Sequence, residues 1–148
     1  MGDEGHIGLA LELLLSAVLL VVVTVIHGTG IGFMDKILKT DRLDLAKLKL
    51  VQREIGVMIP MALCLLLLHI IEIFVFTFFY LAPGDAKTLQ EAIYHSALAY
   101  TTMRVVEGGF TNWMVLSTFE GLVGFLMIGW SSAVFVSEMD RLLRNKRS

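Results

Sequence analysis

Three long apolar stretches, separated by polar segments, dominate the sequence. They run roughly over residues 7–33, 55–82 and 113–138. At about 1.5 Å per helical residue, each stretch can cross a hydrocarbon core of about 30 Å. The composition agrees, because 56% of the residues are hydrophobic and 18% are charged. The sequence therefore predicts an all-α integral membrane protein with three transmembrane helices.

A fourth stretch, 88–102, has helical periodicity but is too short to cross a membrane. Thr88 and Glu91 have the spacing of a capping box, and the segment 83–85 before them reads Pro-Gly-Asp, which favours a turn. A short helix is therefore expected here. The side chains that share one face of it are Leu89, Ala92, Ile93, Ala97 and Tyr100.

The basic residues predict a topology. The linker 35–54 and the tail 139–148 are both rich in lysine and arginine. By the positive-inside rule both face the cytoplasm, which predicts a multi-pass protein of the cell (plasma or inner) membrane with its N-terminus outside and its C-terminus cytoplasmic. Leucines among the charges of the linker leave three interpretations open: an interfacial helix, an extension of the second span, or a solvated charge run.

In this topology, residues 83–112 enter the membrane from its outer side and return to the same side. The sequence therefore predicts a re-entrant helix and loop here. Lipid cannot satisfy the N–H and C=O groups of irregular backbone, so such a loop persists at membrane depth only if protein or water surrounds it. One copy of the chain cannot bury the loop, whereas several copies around a shared axis can. Oligomerisation is therefore expected.

The segments LLLLHIIEIF, EAIYHSALAYTTM and FEGLVGFLMIGWSSAVF follow the order of a span, a short helix ending in Thr-Thr, and a glycine-bearing span. This order resembles the pore module of potassium channels, and the first span with its VIHGTG end resembles the extra first helix of small bacterial ion-channel proteins of the two-pore-domain-like family. The resemblance implies a homotetramer. It divides the chain into an extra N-terminal transmembrane helix (1–34), a basic cytoplasmic linker (35–54) and a pore module (55–148). The pore module comprises an outer helix (55–82), a pore helix (88–102), a filter-like loop (103–112), an inner helix (113–138) and a basic tail (139–148).

The chain departs from this family at the residues that form the potassium filter. Thr101 and Thr102 match the threonine pair, and Met103 stands where an aliphatic residue is usual. Arg104 and the following two valines, Val105 and Val106, then replace a Gly-Tyr-Gly run. β-Branched side chains resist the backbone angles that stack carbonyl groups toward an axis. A degenerate selectivity filter is therefore expected, in a channel that passes cations without a standard potassium filter.

Arg104 and Glu107 are candidate site residues, because ionisable side chains at membrane depth usually mark a site. Four copies of Glu107 would form a carboxylate ring that favours cations, whereas four guanidinium groups on the axis would repel them. We therefore expect Arg104 to pair with Glu107, or with Glu91 or Glu120 behind the loop. The open alternative is that both charges lie on the surface of the outer mouth.

The third span contains three glycines at which neighbouring helices can approach closely. The resemblance adds a second interpretation, in which a glycine near the middle of an inner helix acts as a gating hinge. The residues concerned are Gly121, Gly124 and Gly129.

Other polar residues lie inside the apolar stretches, where each needs a partner. His69 and Glu72, three residues apart, share a helix face and are expected to pair. The remaining residues of this kind are Glu12, His27, His95 and Glu120. A structural role is the default. The alternative is a haem-binding membrane redox protein in which His27, with His69 or His95, ligates the iron.

The sequence also limits the classes of function. A formal net charge of −2 argues against a nucleic-acid partner. No nucleotide loop, zinc-ligand spacing or nucleophile elbow predicts an enzyme. Cys64, the one cysteine, is expected to be a small core hydrophobe. The expected partners are other copies of the chain, the lipid bilayer and inorganic ions, with no cofactor and no bound metal beyond permeant ions. A non-conducting channel-like scaffold or regulatory subunit is the remaining alternative.

Overall fold

The computed structural model describes the backbone of residues 4–45, 50–81, 86–103 and 113–144, and the side chains of the same segments except 4–7, 37–45 and 50–54. The described residues form four helices and no strand. These are α1 (Glu4–Leu45), α2 (Leu50–Leu81), α3 (Leu89–Tyr100) and α4 (Met114–Arg144). Three of them contain a stretch long and apolar enough to cross a membrane: Gly8–Lys36, Ile55–Leu81 and Met114–Arg144. The prediction of an all-helical, membrane-embedded protein is confirmed.

The long helices extend beyond the apolar stretches that predicted them. α1 continues to Leu45, so residues 35–45 of the linker extend the first span, which none of the three interpretations predicts. α2 begins at Leu50, so the predicted extension of the second span covers only residues 50–54. α4 ends at Arg144 rather than near residue 138. Hydropathy marks only the part of a helix that suits lipid, whereas hydrogen bonding propagates further at little cost once a helix is nucleated.

α1 packs against the other helices along a narrow seam. Its run of β-branched residues at 21–26 is helical because lipid offers no partners for the backbone of an isolated strand. The buried side chains of α1 recur at helical spacing and are Ser16, Val23, His27 and Met34. The remaining faces carry exposed leucine and valine side chains, which suit contact with lipid.

α3 runs antiparallel to α2 and lies between α2 and α4. Near its start, the Ala86 N–H donates to the Tyr80 carbonyl at 3.4 Å. Near its end, the Tyr100 hydroxyl donates to Glu72. Glu72 lies about nine residues, or roughly 14 Å at about 1.5 Å per residue, before the end of α2. α3 therefore leads the chain from the end of α2 back to the middle of the helix bundle.

The start of α3 is fixed by the predicted capping box. The Thr88 side chain accepts a hydrogen bond from the Glu91 N–H at 3.1 Å. The Glu91 carboxylate reaches back to the N–H of Lys87, at 3.0 Å, rather than to that of Thr88. Two of the N–H groups at this helix start thus have acceptors, and the prediction from spacing is confirmed.

The predicted apolar face of α3 is only partly the buried one. Ala92 and Tyr100 are buried, but Leu89 is 50% exposed. The buried residues are Ala92, His95, Ser96, Ala99 and Tyr100. The buried face is therefore rotated toward the polar side chains, as expected where the surroundings of the bundle are apolar and polar groups find partners inside it.

Two expectations about single residues are wrong. Cys64 is exposed on α2 and does not belong to the core. Trp113 and Trp130 are expected from the sequence to anchor opposite ends of the third span at the membrane surface. Trp130 instead lies near the middle of α4, with its ring centroid 5.3 Å from that of His27. Trp113, by contrast, directly precedes α4 and packs edge-on against Phe79 at 5.2 Å.

Candidate functional site

All four helices contribute to one buried polar cluster, which we call the histidine–glutamate cluster. It consists of His27 from α1, His69 and Glu72 from α2, Tyr100 from α3 and Ser131 from α4. His69 and Glu72 share a face of α2 because they are three residues apart. α1, α3 and α4 each meet this face and bring one further polar side chain to it.

Glu72 is the centre of the cluster and is fully buried. Its Oε1 lies 2.7 Å from Nδ1 of His27. Its Oε2 accepts the hydroxyl of Tyr100 and lies 3.3 Å from Nδ1 of His69. One carboxylate therefore holds together three of the four helices.

The hydrogen bonds indicate which ring nitrogen of His27 carries the proton. A carboxylate accepts, so Nδ1 of His27 carries the proton that faces Glu72. Nε2 of the same ring lies 3.3 Å from the hydroxyl of Ser131, which donates when the imidazole is neutral. Both ring nitrogens of His27 are thus engaged with protein partners, on α2 and on α4.

A second polar cluster lies toward the start of α3 and is centred on Glu120 of α4. Its carboxylate accepts from the Tyr80 hydroxyl at 2.7 Å and from the Ser96 hydroxyl at 2.5 Å. Glu120 is fully buried. His95 packs edge-on against Tyr80 at 5.0 Å, and burial lowers the pKa of this histidine against the opposing effect of Glu91. His95 is therefore expected to be neutral at neutral pH.

Glu12 of α1 caps the N-terminus of α4. Trp113 precedes this helix and its side chain has no acceptor for the first N–H groups. Oε2 of Glu12 accepts instead, from the N–H groups of Val115 at 3.0 Å and Leu116 at 3.1 Å. The positive end of the helix dipole stabilises the same carboxylate. This contact accounts for an acidic residue inside the first apolar stretch.

We expect Glu12→Ala to lower the free energy of unfolding by about 1–2 kcal/mol, because the first turn of α4 loses its acceptor and its counter-charge. Thermal unfolding of the detergent-solubilised protein measures the change. Thr24→Val on the same helix is the control, since the Thr24 hydroxyl bonds only its own helix, at Leu20. Equal stability of the two variants would contradict the capping role.

The C-terminal turn of α3 is seated on two glycines of α4. A Cβ atom at Gly124 would lie 2.0 Å from the carbonyl oxygen of Tyr100, and one at Gly121 would lie 3.0 Å from that of Ala99. No atom lies within 4 Å of a Cβ built at Gly129. The structure thus places Gly121 and Gly124 in a close helix contact and leaves Gly129 on an open face.

Beyond this turn the chain leaves the helix at residues that are exposed. Thr102 has a φ of 58°, in the left-handed region that residues with a Cβ adopt at some cost. Thr101, Thr102 and Met103 are all exposed. Next to them is a groove of about 380 Å³ between α3 and α4. It is lined by Ala99, Thr102, Met103, Ser117, Thr118, Gly121, Leu122 and Phe125.

The structure brings some predicted site residues together and does not describe others. His69 and Glu72 are in contact, and His27 joins them. Arg104, Val105, Val106 and Glu107 lie outside the described residues, as do the predicted ion pairs of Arg104. Sequence reasoning missed Tyr80, Ser96 and Tyr100 as partners of the buried acids, and Ser131 as a partner of His27. The one available signal was that each buried acid or histidine needs a polar neighbour.

The geometry of the histidines does not favour the haem alternative. Two axial histidines bind the iron from opposite faces of the haem, whereas Nδ1 of His27 and Nδ1 of His69 both face the carboxylate of Glu72. The rings of His27 and His69 have centroids 5.5 Å apart and share Glu72. His95 lies in the other cluster, against Tyr80.

The fold and these two clusters define a three-span helical membrane protein with buried acids at its helix contacts. No family model, no curated protein and no solved structure matches the chain.

Proposed function

We propose that the chain is one subunit of a homotetrameric ion channel of the potassium-channel-like type. In this proposal α3 is the pore helix, α4 lines the pathway, and cations pass without a standard potassium filter. The number of subunits comes from the resemblance of the segments around α3. The observation that carries the proposal is the position of the last turn of α3 and of the exposed residues that follow it.

α3 has 12 residues and is about 18 Å long, which is too short for a hydrocarbon core of about 30 Å. It ends beside Glu72, about a third of the way along the apolar part of α2 from its C-terminal end. Thr102 and Met103 are non-helical and exposed at this level. Backbone of this kind persists at membrane depth only against protein or water. Sister subunits around a water-filled axis provide both.

The groove beside these residues supports an aqueous pathway. Thr102, Ser117 and Thr118, which carry hydroxyl groups, line it together with apolar residues. The C-terminal end of α3 points toward the same place and carries partial negative charge from its last carbonyl groups. Four such ends around an axis favour cations over anions, which agrees with the expected role of Glu107.

Contacts among the described residues reduce the number of candidate partners for Arg104. Both oxygens of Glu120 already accept hydrogen bonds, and this residue is fully buried. The carboxylate of Glu91 caps the start of α3, at the opposite end of the helix from residue 104. These contacts favour Glu107 as the partner of Arg104.

The basic linker and tail support a cytoplasmic C-terminus by the positive-inside rule.

The test is ion flux in liposomes that contain the full-length protein, with potassium, sodium, calcium and chloride measured separately. We expect cation flux in the wild type, a several-fold lower preference for cations over chloride in Glu107→Gln, and fewer tetramers in Arg104→Gln. Asp140→Asn is the control, because Asp140 forms an exposed ion pair with Arg144. Native mass spectrometry reports the number of subunits.

The outcomes separate the alternatives. A tetramer that passes none of the four ions would support the scaffold or regulatory alternative. A monomer or dimer would overturn the proposed architecture. Unchanged flux, selectivity and assembly in both Arg104→Gln and Glu107→Gln would rule out the proposed roles of these two residues.

A further inference from the structure

We propose that His27, His69 and Glu72 form a binding site for a divalent transition-metal ion, with Zn²⁺ as the ion that the donor set fits best. The site lies where α1, α2 and α3 meet. It does not depend on ion conduction and can be tested whether or not the chain forms a channel.

The positions of the donor atoms support this site. Each of the three residues offers one ligand atom, and these atoms all lie within 4.8 Å of one another. Zinc bonds of about 2.0–2.2 Å place tetrahedral ligand atoms about 3.3–3.6 Å apart. Nδ1 of His69 and Oε2 of Glu72 are already 3.3 Å apart. Nδ1 of His27 is 2.7 Å from the other oxygen, Oε1, so the two carboxylate oxygens face one imidazole each, and this contact would need to open by less than about 1 Å.

The chemistry of the donors limits the choice of metal. Two imidazoles and one carboxylate are a common three-ligand set for zinc. Imidazole nitrogen also suits other late transition metals, whereas calcium and magnesium prefer a shell of oxygen ligands. The Tyr100 hydroxyl lies 2.9 Å from Nδ1 of His69 and is positioned to be a fourth, oxygen ligand.

The residues around the donors resemble the outer shell of a metal site. A ligating histidine usually has its other ring nitrogen held by a protein group. Nε2 of His27 has this arrangement, with Ser131 at 3.3 Å, while Nδ1 faces the proposed ion. His69 has a side chain 16% exposed, and the side chains of His27 and Glu72 are fully buried. His69 is therefore the one donor of the three that the chain does not fully enclose.

The competing interpretation is that the cluster holds the helices together by hydrogen bonds alone. The two interpretations predict different responses of the protein to added metal ions. In a purely hydrogen-bonded cluster, Co²⁺ and Zn²⁺ find no saturable site. In a metal site, Co²⁺ gives the visible absorption of a tetrahedral complex that Zn²⁺ then displaces.

The experiment titrates full-length, chelator-treated protein in detergent with Co²⁺ and, by calorimetry, with Zn²⁺. We expect one ion per chain, also in Cys64→Ser, which removes the exposed thiol as a competing ligand. His69→Gln is expected to weaken binding more than about 100-fold, beyond the loss typical of outer-shell changes. His95→Gln, a histidine change in the other polar cluster, is the control and is expected to bind as the wild type does.

Glu72→Gln is the second variant, because an amide oxygen keeps a hydrogen-bond acceptor but ligates a metal poorly. Circular dichroism identifies which variants retain their helices. The proposal is overturned if the wild type shows no saturable Co²⁺ or Zn²⁺ binding, or if a folded His69→Gln or Glu72→Gln variant binds with wild-type affinity.

Discussion

Replacement of Gly124 by alanine is expected to displace α3 from α4 and, in the proposed channel, to abolish cation flux. The added Cβ would lie 2.0 Å from the carbonyl oxygen of Tyr100 and 2.8 Å from its carbonyl carbon. These are backbone atoms, so no change of rotamer relieves the contact. Overpacking of this kind costs about 1–3 kcal/mol or more. Flux in liposomes and thermal unfolding in detergent measure the two consequences.

Gly129→Ala is the matched control on the same helix, since a Cβ there meets no atom within 4 Å. We expect it to leave flux unchanged and stability equal or slightly higher, because alanine favours helix by about 0.5–1 kcal/mol over glycine. Gly121→Ala should fall between the two, with its Cβ 3.0 Å from the Ala99 carbonyl oxygen.

These three variants also separate the two interpretations of the glycines. If they serve packing, the loss of flux follows the crowding in the structure and is greatest for Gly124→Ala. If a glycine is a gating hinge, Gly129→Ala changes flux although it crowds nothing. Wild-type flux and stability in Gly124→Ala would show that α3 is not seated on α4 at this position.

The parts of the fold that could be predicted depend on local interactions. The spans follow from long apolar runs, and the start of α3 follows from the three-residue spacing of Thr88 and Glu91. The helix ends could not be placed in the same way, because hydropathy does not mark where hydrogen bonding stops. α1 thus runs to Leu45, well past its apolar part.

The buried face of α3 was mispredicted for a physical reason. The helical periodicity predicts that Leu89 and the other apolar residues of the helix share the buried face, as in a soluble protein, where apolar side chains turn inward. In a membrane protein the outside is also apolar, so His95 and Ser96 turn inward to find partners while Leu89 is exposed. Polar residues in an apolar helix are therefore the better signal of its buried face.

The candidate site, like the fold, could be predicted only where its contacts are local in the sequence. Spacing alone brings His69 together with Glu72, because both lie on α2. The contact of His27 with Glu72 depends on how α1 and α2 are placed along each other, which no local pattern specifies. The periodicity predicts Tyr100 as part of an apolar face, whereas its hydroxyl donates to Glu72. The one sequence signal for a residue such as Tyr100 is that a buried carboxylate needs hydrogen-bond donors.

Replacement of Glu72 by alanine is expected to lower the free energy of unfolding by about 3–5 kcal/mol, the range for removing one member of a buried ion pair. His27 and Tyr100 would lose the acceptor that they share, in a fully buried position. Glu72→Gln should cost less, because its amide oxygen still accepts one of these hydrogen bonds. Unfolding is measured in detergent with a chelator present, so that metal binding does not contribute.

Asp140→Asn is the control for the loss of a carboxylate on an exposed surface. Asp140 lies 2.7 Å from Arg144, but their side chains are 54% and 79% exposed, and such pairs contribute about 0–1 kcal/mol. We therefore expect a large difference between Glu72→Ala and Asp140→Asn, although each removes one carboxylate. If the two variants unfold at the same temperature, Glu72 does not hold the helices together. If Glu72→Ala is more stable than the wild type, the cluster is maintained at a cost to stability, as expected of a binding site rather than of a structural contact.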